Sequence, residues 1–145
     1  MKIRIAVLED APQLLKLNSS FNGPGLTTAE SVRQALAQGG SEVVVVAEVT
    51  GCLVGFVCLQ IKKSFCYDEN SAEITEVFVD EPYRRQGIAR QMIQFAETYC
   101  AETHQTTTFT LLTGQDNLAA QALYRALSYK KTKEVMMEKN ITILA

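Results

Sequence analysis

The chain has 145 residues, enough for one domain with a core of its own, and it reads as a single domain over residues 1–145. Hydrophobic residues make up 47% and charged residues 21%, the balance of a soluble globular protein, and a net charge of −2 leaves no broad basic surface for a dominant nucleic-acid role. No apolar run is long enough to span a bilayer, and the single His with four cysteines lacking C-x-x-C spacing excludes a structural zinc pattern. Met1 is followed by the charged and apolar alternation Lys2-Ile3-Arg4-Ile5, which is not the pattern of a signal peptide. The cysteines read as buried or partly buried free thiols in a reducing cytoplasm.

Residues 2–7 alternate and predict a first strand. Asp10 is positioned to cap a helix carrying Leu14, Leu15 and Leu17. Residues 21–26 (Phe-Asn-Gly-Pro-Gly-Leu) have the composition of a loop. Thr27-x-x-Glu30 predicts a capping box for a second helix with Val32, Ala35 and Leu36, which Gly39-Gly40 ends. Residues 42–49 form a β-branched run, and Thr50-Gly51 turns it into residues 53–61 as an antiparallel hairpin. Residues 62–71 make a polar loop, and residues 72–79 a central strand. A helix over residues 88–101 places Ile88, Met92, Phe95, Ala96 and Tyr99 on one face. Residues 106–113 are β-rich, Asp116 caps a helix with Leu118, Leu123, Tyr124 and Leu127, and residues 129–144 predict a final pair of strands. The order is β-α-α-β-β-β-α-β-α-β-β, with residues 72–113 as a right-handed parallel crossover. The fold class is α/β, a mixed sheet flanked by helices.

One stretch carries chemistry. Residues 77–90 run from an apolar strand through a basic, glycine-containing turn into an amphipathic helix. A helix start leaves backbone N–H groups unpaired, and those groups and the helix dipole attract phosphates. Gly87 permits close approach to the backbone, Ala89 is small, and Arg84, Arg85 and Arg90 add positive charge. The stretch therefore reads as a pyrophosphate-binding turn, with a solvated basic loop as the plainer alternative. An acidic chain with one local basic turn suits an anionic cofactor and a cationic substrate.

Arg84-x-x-Gly87-x-Ala89 resembles the acyl-coenzyme A signature of the GNAT superfamily of N-acetyltransferases. The element order resembles that fold over essentially the whole chain. Asn117-x-x-Ala120-x-x-Leu123-Tyr124 followed by Ser128-Tyr129 is similar to a second signature of the family, which usually has Gly where Ser128 stands. The resemblance implies acyl transfer from acetyl-coenzyme A to an amine. It also implies that the backbone of Val77, Phe78 and Val79 binds the pantetheine arm, that Arg85, Gln86, Gly87, Ile88 and Ala89 hold the pyrophosphate through their N–H groups, and that Asn117 touches the cofactor arm.

Such a reaction needs a base for the amine, whose ordinary pKa is near ~10.4, a stabilised oxyanion and a proton for the leaving thiolate. Tyr124 is the donor that the resemblance implies, set against a purely packed helical Tyr. Glu73 stands where histone-type members place a glutamate base, and Glu76 where polyamine acetyltransferases carry an acidic residue. In an ideal strand these two face opposite ways, which a bulge would change. Leu112 stands where ribosomal-type members carry their glutamate. The loop residues Phe65, Tyr67, Asp68 and Glu69, with residues 21–26 facing them, are a candidate acceptor lining, and His104 reads as a surface or helix-terminal residue.

The resulting expectation is a cytoplasmic enzyme that transfers an acetyl group directly to a small amine (aminoglycoside-like, polyamine or amino-acid derivative) or else to a peptide. It needs no metal, nucleic acid or membrane. A non-catalytic acyl-coenzyme A-binding regulatory module is the alternative. Family members often dimerise through terminal strands or early helices, so a homodimer stays open.

Overall fold

Among the described residues, five β-rich runs of the sequence form one sheet, and the helical periodicities form four α-helices. The computed structural model describes residues 1–144. They divide into two compact units, one ending at Leu112 and one starting at Thr113.

In the first unit, strands β1 (Lys2–Ile5), β2 (Glu42–Val49), β3 (Cys52–Lys62), β4 (Asn70–Val79) and β5 (Thr106–Leu111) lie in the order β1-β2-β3-β4-β5. The first three pairings are antiparallel and β4–β5 is parallel, as the crossover through helix α3 (Ile88–His104) requires. The β2–β3 hairpin turns at Thr50 and Gly51, with φ of 46° and 82°, the left-handed pair that a tight hairpin demands.

Each face of the sheet has its own cover. Leu14 and Leu17 of α1 (Ala11–Asn22) meet Val46, Leu53, Phe56 and Phe78, and Val32 and Leu36 of α2 (Ala29–Ala37) pack against the same cluster. Phe21 stacks on Phe78 with ring centroids 5.0 Å apart, so residues 21 and 22 close α1 and do not open the loop. The opposite face takes α3 through Ile88, Met92, Ile93, Ala96 and Cys100. Phe95 and Tyr99, expected on that face, are only half-buried and stack on each other at its margin, while Ile93 and Cys100 replace them in the core. A Cβ at Gly55 would lie 2.7 Å from the Phe78 carbonyl oxygen and 3.0 Å from Met92 Cε, so the absence of a side chain there lets β3, β4 and α3 close up.

Two helix starts of the first unit differ from expectation. The α2 cap is Thr28, whose side chain accepts from Ser31 N, one residue later than the Thr27 box. Asp10 precedes α1 but does not cap it. Its carboxylate turns back to take two bonds from Arg4, at 2.7 and 2.9 Å, and one from Val7 N at 2.8 Å. Arg4 Nη2 also reaches Glu48 at 3.0 Å. The guanidinium outcompetes the helix N–H groups because charge-assisted bidentate bonds are the stronger ones.

The second unit holds helix α4 (Leu118–Ala126), capped by Asn117 and not by Asp116: Asn117 Oδ1 accepts from Ala120 N at 3.2 Å. Residues 129–144, expected as two strands, form none. Their β-like sequence is exposed, with Val135, Met137, Ile141 and Ile143 each at least 77% accessible. A strand is defined by its partner, which sequence pattern cannot supply. No helix among the described residues is long and apolar enough to cross a membrane. Cys52 and Cys66 are exposed, contrary to expectation, since one opens a hairpin arm and the other lies in a loop; Cys58 is half-buried and Cys100 buried.

The Arg4–Asp10 pair predicts a stability measurement. Asp10 is held below the usual carboxylate range first by its bonds from Arg4 and then by the Val7 N–H. Its contribution is therefore present above the ordinary Asp value of ~3.9 and is lost as pH falls through the lowered folded value. Asp10→Asn is expected to cost about 3 kcal/mol at pH 7 in urea unfolding, with the gap to the parent narrowing below about pH 4.

Candidate active site

The end of β4 and the turn after it organise the first unit's site. Parallel pairing of β4 with β5 runs from Asn70 to Ile74 and stops there. Beyond it, Glu76–Val79 keep β3 on one side, and no strand of the described residues pairs with them on the other. An open strand edge of this kind offers amide hydrogen bonds to an extended ligand.

The stop coincides with a bulge. Ile74 pairs with Leu59 and Glu76 with Cys58, so Thr75 is an extra residue, and its Oγ1 donates to the Cys58 carbonyl at 3.2 Å. Cross-strand partners share a face. Glu73 is opposite Gln60 and Glu76 opposite Cys58, and residues 58 and 60 of β3 point the same way. Glu73 and Glu76 therefore project from one face, and the ideal-strand expectation of opposite faces is overturned by the inserted Thr75.

The two carboxylates have different neighbours. Glu73 Oε1 pairs with Lys62 Nζ at 3.0 Å. Glu76 forms no ion pair among the described residues and lines a cavity of about 220 Å³ under α1 and α2. The wall is largely apolar, with Leu14, Val32, Leu36, Val44 and Phe56. Glu42 and Cys58 line it as well; neither was marked by the sequence, although Glu42 opens a strand as a lone charge before a β-branched run. Burial first, then the charges of Glu42 and Glu76, pushes the Cys58 thiol far up, so it stays neutral. Phe65, Tyr67, Asp68 and Glu69 are not in the wall: Phe65 and Tyr67 are exposed, and Glu69 accepts from Thr107 Oγ1 at 3.0 Å. The loop expected as an acceptor lining therefore does not contribute to this cavity, which is walled by α1, α2 and the sheet.

After Val79, a 3-10 turn over Glu81–Tyr83 leads to Arg84. The Arg84 Nε donates to the Val79 carbonyl at 2.8 Å, and its guanidinium lies 5.7 Å from the Phe78 ring centroid, which fastens the turn to the strand end. Arg85 and Gly87 are left-handed, with φ of 64° and 77°. Gly87 is the α3 N-cap and supplies no side chain to the helix N–H groups, so the N–H groups of Ile88, Ala89 and Arg90 face outward without a capping partner. Arg85, Gln86 and Arg90 are exposed, and neither arginine forms an ion pair among the described residues. Alternating left-handed residues before a 17-residue helix turn backbone N–H groups into a concavity of the kind that attracts anions.

In the second unit, Tyr124 is half-buried on α4, and burial raises its phenol above the ordinary range near ~10. Its ring meets Tyr129 edge-on at 6.1 Å. Ser128 is left-handed, φ 73°, and the Tyr129 N–H closes back on the Tyr124 carbonyl at 2.9 Å. The backbone turn that a glycine would make is thus made by serine, at a steric cost of about 1 kcal/mol. Asn117 is engaged through Oδ1 in the helix cap. His104 ends α3 beside Tyr99, as a helix-terminal residue.

This strand, turn and helix belong to a known class. The family model of the GNAT acetyltransferases matches residues 12–129, so the chain belongs to the GNAT acetyltransferase family, and it is an acetyltransferase by that membership. Its fold is similar to that of an aminoglycoside acetyltransferase, meta-AAC0020, from an uncultured soil metagenomic sample (TM-score 0.84, 20% identity, 97% of this chain and 95% of that one). It is also similar to the ribosomal-protein-alanine N-acetyltransferase from Brucella melitensis biovar Abortus 2308 (0.81, 18%, 97% and 100%). A third likeness is to AAC(6')-Iy in complex with a coenzyme A bisubstrate analogue (0.83, 18%, 97% and 98%). No curated protein sequence matches the chain. Enzymes of the family use acetyl-coenzyme A.

Gly87 is the sharpest probe of the anion concavity, because any side chain there is strained at φ +77° and a carboxylate would repel phosphate. Gly87→Glu is expected to weaken acetyl-coenzyme A binding at least about tenfold in a calorimetric titration. Near-parental affinity would move the site elsewhere.

Proposed function

We propose that the chain is a cytoplasmic single-domain enzyme over residues 1–145 that transfers the acetyl group of acetyl-coenzyme A directly to a small primary amine. The observation that carries this reading is the junction at the end of β4. There an open strand edge, Val77–Val79, runs into an uncapped helix start flanked by unpaired arginines. An extended arm with amides suits the former and a pyrophosphate the latter, so one ligand carrying both spans them. Bound there, acetyl-coenzyme A supplies an activated acyl carbon. Arg85, Gln86, Gly87, Ile88 and Ala89 hold the pyrophosphate through the backbone, Arg90 adds charge, Arg84 keeps the turn on the strand, and Asn117 supports the arm.

The acceptor amine occupies the cavity beside Glu76. An alkyl ammonium must lose a proton before its lone pair can attack, and Glu76, directly or through one water, takes that proton. Glu73 is the second carboxylate on the same face, but its ion pair with Lys62 makes it the poorer base. The amine nitrogen then forms a bond to the acyl carbon, the carbon–sulfur bond breaks, and the departing sulfur takes a proton from the Tyr124 phenol. The amide nitrogen sheds its extra proton, which restores the phenol through solvent. Tyr124 suits this role because its raised value keeps the donor form populated beyond the ordinary phenol range. Direct transfer is supported by Cys58: the thiol lining the cavity is held neutral and is a poor acyl carrier.

Thiol release from acetyl-coenzyme A against a panel of small amines, aminoglycosides and peptides tests the reading. Tyr124→Phe is expected to lower kcat by about 10²-fold with KM little changed. Glu76→Gln is expected to lower kcat and to change the pH–rate profile. Undiminished turnover in Tyr124→Phe, or an unchanged profile in both Glu76→Gln and Glu73→Gln, would refute the assigned roles.

A further inference from the structure

The cavity holds a second carboxylate that the reaction does not use. Glu42 begins β2 and Glu76 lies two strands away on β4, and both line the same apolar space. Their placement follows from the register. Glu42 is opposite Gln60, Val44 opposite Cys58, and Cys58 opposite Glu76, so the two glutamates sit at diagonal corners of one sheet face. Two strand spacings and a two-residue step put their Cα atoms about 12 Å apart. The space between is walled by Val44, Phe56 and the neutral Cys58, with α1 and α2 as cover.

Neither carboxylate has a cation. The ion pairs among the described residues are Arg4–Asp10, Arg4–Glu48 and Lys62–Glu73. Glu42 receives only a long bond, 3.4 Å, from Gln60 Nε2. Desolvation, and next the charge of Glu76, raises the Glu42 carboxyl, so the pair carries a repulsion that a bound cation would relieve.

We propose that this cavity binds a short, unbranched α,ω-diamine, with its reacting amine at Glu76 and its distal ammonium at Glu42. The inference rests on the acetyl-transfer reading for the identity of the reacting end. Two separated carboxylates match two ammonium groups, and the apolar wall matches the methylenes between them. Size agrees: the space, about 220 Å³, admits a chain of a few methylenes with an ammonium at each end. Linked aminosugar rings, which present hydroxyls along their length, match the largely apolar wall less well.

The test compares kcat/KM for 1,5-pentanediamine and pentylamine in the parent, Glu42→Gln and Glu42→Asp. The parent is expected to prefer the diamine at least about tenfold, the worth of one partly desolvated ion pair. Glu42→Gln is expected to erase that preference and Glu42→Asp to keep most of it. No preference in the parent, or the same preference in Glu42→Gln, would overturn the proposal. Calorimetric titration of 1,5-pentanediamine onto the coenzyme A-saturated protein reads the site without turnover. Binding that Glu42→Gln weakens tenfold, with no amine acetylated, would uphold the diamine site and sink the catalytic reading. Acetylation of other amines with no diamine binding would do the reverse.

Discussion

Thr75 is one residue more than β3 can pair, and the site depends on that surplus. Were Thr75 instead paired with Cys58 in a regular pleat, Glu76 would fall opposite Val57 and turn toward the α3 face, and a charge would enter the core of Met92, Ile93 and Ala96. With it, Glu76 joins the face that carries Cys58 and Phe56 and finds a cavity instead. The bulge also falls where β4 and β5 cease to pair. A bulged strand bends and twists more than its neighbour, so a parallel partner on the far side loses register at that point. The bulge thus accounts for an open strand edge and for a carboxylate in the cavity under α1 and α2.

The surroundings are built to hold this irregularity still. Thr75 itself bonds back to the Cys58 carbonyl, Phe78 is clamped between Phe21 and Phe56, and Gly55 lets β4 and α3 lie close to β3. Arg84 bonds the last carbonyl of the strand and covers the Phe78 ring. At the far edge of the sheet, Arg4, Asp10 and Glu48 tie β1, the entry to α1 and β2 together, which fixes the helix whose Leu14 roofs the cavity. Such rigidity matters in a site whose work is positioning, because a strand edge preorganised for an extended arm loses little entropy on binding it.

What the sequence made legible follows from which features are local. The basic turn was readable because a strand, a glycine and a helix start are contiguous, and the left-handed Gly87 at the α3 N-cap is the geometry that such a segment needs. The β2–β3 hairpin was readable from Thr50-Gly51 for the same reason. Glu42 was not, because its significance is a relation to Glu76 across two strands and to a roof made by two helices. Asp10 looked like a cap because caps are local; its true partner, Arg4, is on another element and bonds more strongly. The loop at residues 65–69 drew attention by composition alone, and exposure, which composition does not report, removes it from the cavity. Residues 129–144 have a strand's alternation without a ladder, which shows that alternation states a preference and pairing decides it.

Net charge conceals the electrostatic design. A value of −2 is nearly featureless, yet β4 separates two strong local fields of opposite sign. On the turn after its end, Arg85, Arg90 and the first N–H groups of α3 gather positive charge. On the face beside it, Glu42 and Glu76 make an apolar space that favours a cation. A reaction between a phosphorylated acyl donor and a protonated amine needs both, close together and not neutralising each other. The strand supplies the separation: its backbone faces one ligand along its edge while its side chains face the other. Were Glu76 paired to a basic residue, as Glu73 is to Lys62, the cation would already be present in the protein and the cavity would have only Glu42 left to offer an amine.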